Sequence, residues 1–534
     1  TVSAPGKVLI TGGYLVLERA SSGIVLATTA RFHATARLGD AVSDALLQRW
    51  LCFATWRNVY VIVESPQFHS RYVYDLTWPA GARTAPEIEL PGQDSNPFLE
   101  KALVYTMAAV RASSSRRHFK RLLRLGAVHT AVAIKLRADN DFYSQTEQLR
   151  ARGMLVTAEN LATLAPFLPA PLTDGRAKVA KTGLGSSAAL TVSLVGCLLR
   201  FLGVVELPGG PDWEDLPPPR RQNMLALVHH LSQIAHAAAQ GKVGSGFDVS
   251  AAVYGSHVYT RFSPDLIRSV LDLPINSPQL PGALRRAVDA EWDSVRAPLA
   301  LPPSFRLLMG DVAGGSATPG MVRAVLKWKA DPATAGAAAA LWRSLDDANG
   351  RAEGILRALA EAAEEAPAEF EWCVAGVARA PLSVLQLQDF ARTSVQARLI
   401  MLRSIFTQIR RLLQQMGAQA GVGIEPPQQT RLLDTTAGLP GVLCAGVPGA
   451  GGADAVFAIV VHESAAAGVH ELWAGWNKGS NARAAGPTAA GSVGEGGGGS
   501  DAAAADMSVC PLLLMTAGSG PEAGVAVNGD LAWR

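Results

Sequence analysis

Residues 181–190 read KTGLGSSAAL, a glycine-rich turn that runs straight into a long apolar segment of helical character. Gly183 and Gly185 can take positive φ and let a ligand approach the backbone closely, while Ser186 and Ser187 can cap a helix beginning near Ala188. The first turn of such a helix offers unpaired N–H groups and the positive end of its dipole, which together suit an anion. Two other readings stand beside this one. A Gly/Ser turn can simply cap a buried helix. Alternatively, Gly183, Gly185 and Ala188 fit GxGxxA, and Glu206 lies about 20 residues onward, as a dinucleotide-binding fingerprint asks. The preceding residues, RAKVAK (176–181), argue against that fingerprint: they are polar and basic, whereas the strand entering such a turn sits in a parallel sheet and reads as a nearly continuous apolar run.

Around this turn the chain is that of a globular protein. Its 534 residues suggest two to four domains, and 49% hydrophobic residues supply a sizeable core. The net charge of +3, from 48 basic and 45 acidic residues, gives no general argument for nucleic acid or a membrane surface. Five scattered cysteines, Cys52, Cys197, Cys373, Cys444 and Cys510, form no CxxC pair and no metal-ligand cluster, so reduced thiols in a reducing compartment are expected. The most apolar run, Ala188 to Val205, is interrupted by Arg200 and suits a buried helix better than a membrane span. The chain begins without Met on a segment that already has strand character, so no targeting peptide is expected within it. The cytoplasm is the expected compartment, with the peroxisome as alternative.

Before the turn, residues 2–35 read as a hairpin and a following strand, with Lys7 beside the Pro5-Gly6 turn: an ordinary surface lysine or a ligand-facing one. YVIVE (60–64) and RYVYDL (71–76) read as paired strands joined by SPQFHS. Residues 97–112 have helical spacing, 111–124 carry a basic run best read as a solvated helix face, and Val128–Leu136 is a strand followed by the polar loop DNDFYSQ. Residues 149–171 look like an insertion. After it, a helix spans about Arg221 to Ala239, and GKVGSGFDVSAAVYGS (241–256) then turns sharply and places Asp248 where the next helix starts. There it is either an N-cap or a carboxylate held near a phosphate pocket.

A Pro-rich bridge at 266–303 divides an N-terminal domain, 1–265, from a C-terminal one, 304–534. The second half opens with the strand FRLLMGDV and a helix starting at Thr318-Pro319. Long helical patterns follow at 333–366 and 381–416, then a proline-initiated helix within EPPQQTRLLD. GVLCAGVPGAGGADAVFAIVV reads as strand, glycine loop and strand; the loop, Gly446 to Asp454, suits close approach to a ligand or a second backbone. Residues 479–505 are a Gly/Ala/Ser-rich insertion, followed by a last strand at 509–515.

The three glycine loops in this order, SAPGKVLITGGYLVLE, KTGLGSSAAL and GAGGADAVFAI, resemble the motifs of the GHMP kinase superfamily. Within it SPQF, NDFYS, GKVGSGFDVSAAVYGS, GDVAGGSATPGMV and EPPQQTRLLD are similar to the eukaryotic-type phosphomevalonate kinases over most of the chain. The third loop ends GGAD where many relatives have GGGD. The resemblance implies an N-terminal α/β domain with a left-handed βαβ element and a C-terminal ferredoxin-like α+β domain, with MgATP and 5-phosphomevalonate in the cleft between them. It implies that Gly183, Leu184, Gly185, Ser186, Ser187 and Ala188 hold ATP, that the Ser187 hydroxyl contacts Mg²⁺, and that Lys7, Lys181 and Asp248 are the catalytic residues. Lys7, Lys181, Ser245, Gly246, Gly451 and Gly452 are then expected to bind the acceptor. Another small-molecule kinase of the superfamily, such as mevalonate kinase, and a non-catalytic sensor on the same scaffold are the alternatives.

Overall fold

The computed structural model describes residues 1–40, 58–77, 87–89, 95–112, 130–312, 318–391, 393–484 and 508–529. Two main sheets organise them. The first takes β1 (Val2–Leu9), β2 (Ser22–Asp40), β3 (Asn58–Ser65), β4 (Ser70–Thr77), β5 (Glu87–Glu89) and β6 (Thr130–Ala138). A small separate hairpin, β7 and β8 (Leu172–Thr173, Arg176–Ala177), lies between these and β9 (His257–Thr260) and β10 (Val295–Pro298), which return to the first sheet. Its order is β10-β9-β2-β6-β3-β4-β5, with β1 on β2, and β3 runs parallel to β6. Alternation makes β3 a strand: Val59, Val61 and Val63 face the main core, while Tyr60 and Ile62 pack with Val73 and Ala131 on the opposite face.

Six helices gather on this sheet: α1 (Pro97–Ala112), α2 (Ser186–Phe201), α3 (Pro218–Gln240), α4 (Phe247–Tyr254), α5 (Asp265–Leu271) and α6 (Leu280–Asp289); α2 and α4 lie against β1 and β2, and α3, α5 and α6 pack outside them. Helix α2 is apolar on nearly every side and is accordingly enclosed by β1, β2, α1, α3 and α4. Its internal hydroxyls turn back onto its own carbonyls, Thr191 to Ser187 and Ser193 to Leu190.

The second sheet, β12-β13-β11-β14, is antiparallel and built from β11 (Arg306–Val312), β12 (Val442–Gly446), β13 (Ala455–Val460) and β14 (Val509–Leu512). Helices α7 (Thr318–Ala330), α8 (Ala335–Glu365), α9 (Pro367–Val377), α10 (Val395–Ala420) and α11 (Pro427–Ala437) separate β11 from β12, and α12 (Ala466–Ala484) separates β13 from β14. Chain order and strand order together are those of a ferredoxin-like split βαβ arrangement. One hydrophobic cluster runs through both sheets, from Val8, Phe32 and Leu194 to Phe457 and Trp473.

Several local expectations change. Residues 266–303 hold α6 and β10, because Leu280, Ala283, Leu284 and Ala287 form a buried stripe at helical spacing that the surrounding prolines obscure. Residues 381–391 do not continue a helix: they hold two short 3₁₀ turns, Leu382–Val384 and Leu387–Asp389, and α10 starts only where the Ser394 hydroxyl accepts the Ala397 N–H. The chain's last described segment also crosses between sheets. After β14, Met515 and Ala517 bond to Thr29 and Ala27, and β15 (Ala526–Val527) pairs with β1. The basic run and the low-complexity insertion fall largely outside the described residues. Among the described residues no helix is long and apolar enough to cross a membrane, and Cys197, Cys373, Cys444 and Cys510 are buried and unpaired.

Candidate functional site

The turn before α2 is built by its glycines. Gly183 and Gly185 have φ of 77° and 75°, and Gly185 itself is the N-cap of α2. Ser186 and Ser187 therefore do not cap the helix as expected; they are its first two residues, released for other partners. Ala188 and Ala189 N–H both bond to the Gly185 carbonyl, which leaves the N–H groups of Ser186 and Ser187 without an intrahelical partner. The dinucleotide reading fails here. The turn is entered from the isolated pairing of Lys181 with Tyr143, and Glu206 sits beyond the far end of α2, ion-paired with Arg200 at 2.9 Å.

Lys7 fills the space the glycines leave. The β1–β2 register slips between Pro5 and Lys7, turning Lys7 toward the loop. Its N–H bonds to the Leu184 carbonyl and its Nζ donates to the Gly183 carbonyl, each at 2.9 Å. A Cβ on Gly185 would lie 2.9 Å from Lys7 Cε, so only glycine admits this packing. Nζ also stands 5.4 Å over the Phe247 ring. Burial lowers the Lys7 pKa, while the Asp248 and Asp454 carboxylates push it back up.

Asp248 lies in the first turn of α4, whose N-cap is Gly246 at φ 81°, so the N-cap reading of Asp248 fails. Its Oδ1 accepts the Val249 N–H, and Oδ2 is 4.0 Å from His236 Nε2. The loop ahead of it is pinned from behind. Arg261 donates to the carbonyls of Val243 and Gly244, Tyr259 to that of Ser245 and Gln233 to that of Gly246. Ser245 lines the cavity with Lys7, whereas Gly246 is buried.

The third glycine loop closes the same cavity, of ≈ 210 Å³. Gly449 N–H bonds to the Leu9 carbonyl, Tyr14 OH to the Ala450 carbonyl and Gly452 N–H to the Ile424 carbonyl. Gly451 lines the cavity; Gly452 is buried with its N–H already committed. Behind Ile424 stands Glu425, whose carboxylate is 1% exposed and accepts from Arg410, Gln414 and Thr430. Thus EPPQQTRLLD supports the third loop and does not face the cavity.

A second cavity, of ≈ 250 Å³, adjoins the first at Asp454 and is lined by Gln67, Phe68, Tyr143, Lys181, Asp311 and others. It gathers residues of SPQF and NDFYS with Asp311 and Val312, from three distant parts of the sequence; the loop after Val312 lies outside the described residues. Lys181 is exposed at its edge, so the structure places the two expected lysines in different cavities. Burial pushes the Asp311 carboxyl up to about 6, with the Ser144 hydrogen bond opposing and Asp454 reinforcing the rise. Tyr143 is pushed up to about 12 by burial against a hydrogen bond from Ser186.

His236 escaped the sequence reading. It is 5% exposed on α3, with Nε2 at 3.1 Å from Ser187 Oγ. Burial lowers its pKa and Asp248 opposes the fall. The available signal was periodic: His229, Gln233, His236 and Gln240 recur every three or four residues and make a polar stripe along one face of α3.

No family model matches the chain. It is 38% identical over 490 residues to a peroxisomal phosphomevalonate kinase of Arabidopsis thaliana, covering 86% of this chain and 90% of that protein. To the phosphomevalonate kinase of Aspergillus fumigatus it is 33% identical over 486 residues, 86% of each. Among solved structures, a Streptococcus pneumoniae phosphomevalonate kinase in complex with phosphomevalonate and AMPPNP superposes with TM-score 0.50 at 14% identity, over 89% of this chain and 95% of that one. A Lin0012 protein from Listeria innocua gives TM-score 0.50 at 17% identity, over 88% and 93%. At such identities the structural likeness speaks for the fold.

Proposed function

The chain belongs to the phosphomevalonate kinase family, and we propose that its two adjoining cavities bring ATP and 5-phosphomevalonate together. The γ-phosphoryl group passes to the acceptor phosphate, giving 5-diphosphomevalonate and ADP on the mevalonate route to isoprenoids. The observation that supports this site assignment is the meeting of Lys7, Asp248 and the start of α2 at one turn, with Asp454 facing Lys7 from the third loop.

An acceptor phosphate with a second pKa near ~6 is largely dianionic at neutral pH, so its attacking oxygen needs little help from a base. What the reaction needs is relief of repulsion between two anions, and preorganised donors supply it. In this reading the Ser186 and Ser187 N–H groups and the α2 dipole hold the nucleotide phosphates. Lys7 lies between donor and acceptor, and Asp248 orients it. Among the described residues no cluster of three or more His, Cys, Asp or Glu forms a metal cage. That fits Mg²⁺ arriving with ATP, since Mg²⁺ is commonly held by substrate phosphates and one or two protein oxygens. Ser187 would supply such an oxygen, and the ion would offset charge on the phosphates.

Residues 1–265, with β15 and with α6 and β10 from 266–303, would form the nucleotide-binding lobe and 304–534 the lobe that closes the cleft, with 479–505 an insertion. A cytoplasmic or peroxisomal location accords with the Arabidopsis relative. The test is ADP release with phosphomevalonate and with mevalonate as acceptors. Turnover with the first alone is expected; turnover with mevalonate alone would make the chain a hydroxyl kinase, and no turnover with either would leave the sensor reading.

A further inference from the structure

We propose that His236 is a positioning residue for the transfer: its Nε2 accepts the Ser187 hydroxyl proton, so that the Ser187 lone pairs are aimed at the phosphates and cation of the bound nucleotide. The proposal rests on the kinase reading above and adds to it a residue that none of the glycine motifs contains.

Three helices meet at this nitrogen. Ser187 reaches it from the first turn of α2 at 3.1 Å, a hydrogen-bonding distance, and Asp248 stands off on α4 at 4.0 Å, too far for one. Gln240, one turn further along α3, brings its amide Nε2 to 3.4 Å of the same atom. With the Gln240 amide N–H directed at it, this nitrogen is the bare acceptor in our reading, the ring proton sits on Nδ1, and the Ser187 hydroxyl is the donor. The Phe98 ring packs on the imidazole at 5.6 Å between centroids.

The consequence lies in the rotor. A serine hydroxyl carries one proton and two lone pairs, so fixing where the proton goes fixes where the lone pairs go. Backbone motion is already restricted, because the Ser187 carbonyl accepts Thr191 Oγ1 at 2.8 Å. Without His236 the freed hydroxyl proton would turn to a phosphate oxygen, and a lone pair would turn away from the cation.

The experiment compares His236→Leu, His236→Asn and His236→Gln with Ser187→Ala and the Ser187→Ala/His236→Leu double variant. Each is followed by steady-state kinetics, by Mn²⁺ binding in the presence of AMPPNP read by electron paramagnetic resonance, and by thermal melting. Leu offers no acceptor and Asn is too short to reach Ser187. Both are expected to lower kcat and weaken Mn²⁺ binding by about 10–100-fold, the scale of losing a group that orients a metal ligand. The KM for phosphomevalonate should stay near wild type. Gln, whose amide oxygen can reach Ser187, should recover most of both losses, and the double variant should be no worse than Ser187→Ala alone. Wild-type kcat and Mn²⁺ binding in folded His236→Leu or His236→Asn would overturn the proposal, as would independent, multiplicative effects in the double variant. Should His236→Leu fail to fold, Asn and Gln decide the matter. A wild-type chain without turnover would remove the kinase reading, while the Mn²⁺ comparison would still judge His236.

Discussion

The cavity around Lys7 and the cavity around Lys181 share a wall at Asp454 but treat their lysines in opposite ways. Lys7 lies under the glycine turn, holds the Gly183 carbonyl and faces two carboxylates; Lys181 stands exposed at the edge of its cavity. The family resemblance named both as catalytic and acceptor-binding residues without distinguishing them. The structure separates them by dielectric environment. A pair of unit charges 4 Å apart is worth ~1 kcal/mol in water but ~4 kcal/mol where the effective dielectric constant is near 20. A preorganised, partly enclosed ammonium therefore does far more for a transition state than a solvated one.

The strongest way to break that contrast is Lys7→Ala. It should lower kcat by at least ~10²-fold, the scale of losing one preorganised donor, measured as ADP release under saturating substrates. Near-normal turnover would remove Lys7 from the mechanism. Asp248→Asn comes next, with a loss approaching ~10²-fold that stays flat as pH rises, because an orienting carboxylate is not replaced by hydroxide. Recovery at high pH would point instead to base catalysis. Lys181→Ala should cost less, about tenfold, chiefly in KM and fading at high salt, as screening of an exposed charge requires. A salt-independent collapse of kcat would show that the two lysines are equivalent after all.

The smallest effect concerns stability on the Lys181 side. Asp311 is 5% exposed, and burial raises its carboxyl to about 6 from an ordinary 3.8. The folded state thus resists an ionisation that the unfolded chain accepts. Above about pH 6 the carboxylate is charged in both states and the folded one bears the penalty; the penalty fades as pH falls to 3.8. Asp311→Asn should therefore raise the stability at pH 8 by on the order of 2 kcal/mol, read as a higher melting temperature, and the gain should shrink toward pH 4. An unchanged melting curve at pH 8 would mean that Asp311 is solvated or paired there.

Much of the fold was legible where periodicity is long and uninterrupted. Helix α1, the α3 helix ending at Gly241, the β3–β4 pair and the β12–loop–β13 unit all follow from apolar spacing and a glycine or proline at the right boundary. Reading failed where a residue has two local uses. Ser186 and Ser187 are good caps in isolation, yet Gly185 in the left-handed region takes that place, and the serines are free for Tyr143 and His236. Asp248 is likewise a good N-cap displaced by Gly246. Such choices turn on a few tenths of a kcal/mol of local preference, which packing overrides.

The order of the three glycine loops, the apolar helix behind the second and the likeness to a kinase family are properties of residue type and spacing, so they survive without coordinates. Which side chains share a cavity does not. Lys7 and Asp454 are separated by most of the chain, and His236 looked like one more polar residue on a long helix. Contact between them depends on how two sheets close over one core, and that closure sets the burial and hence the strength of every charge in the cleft.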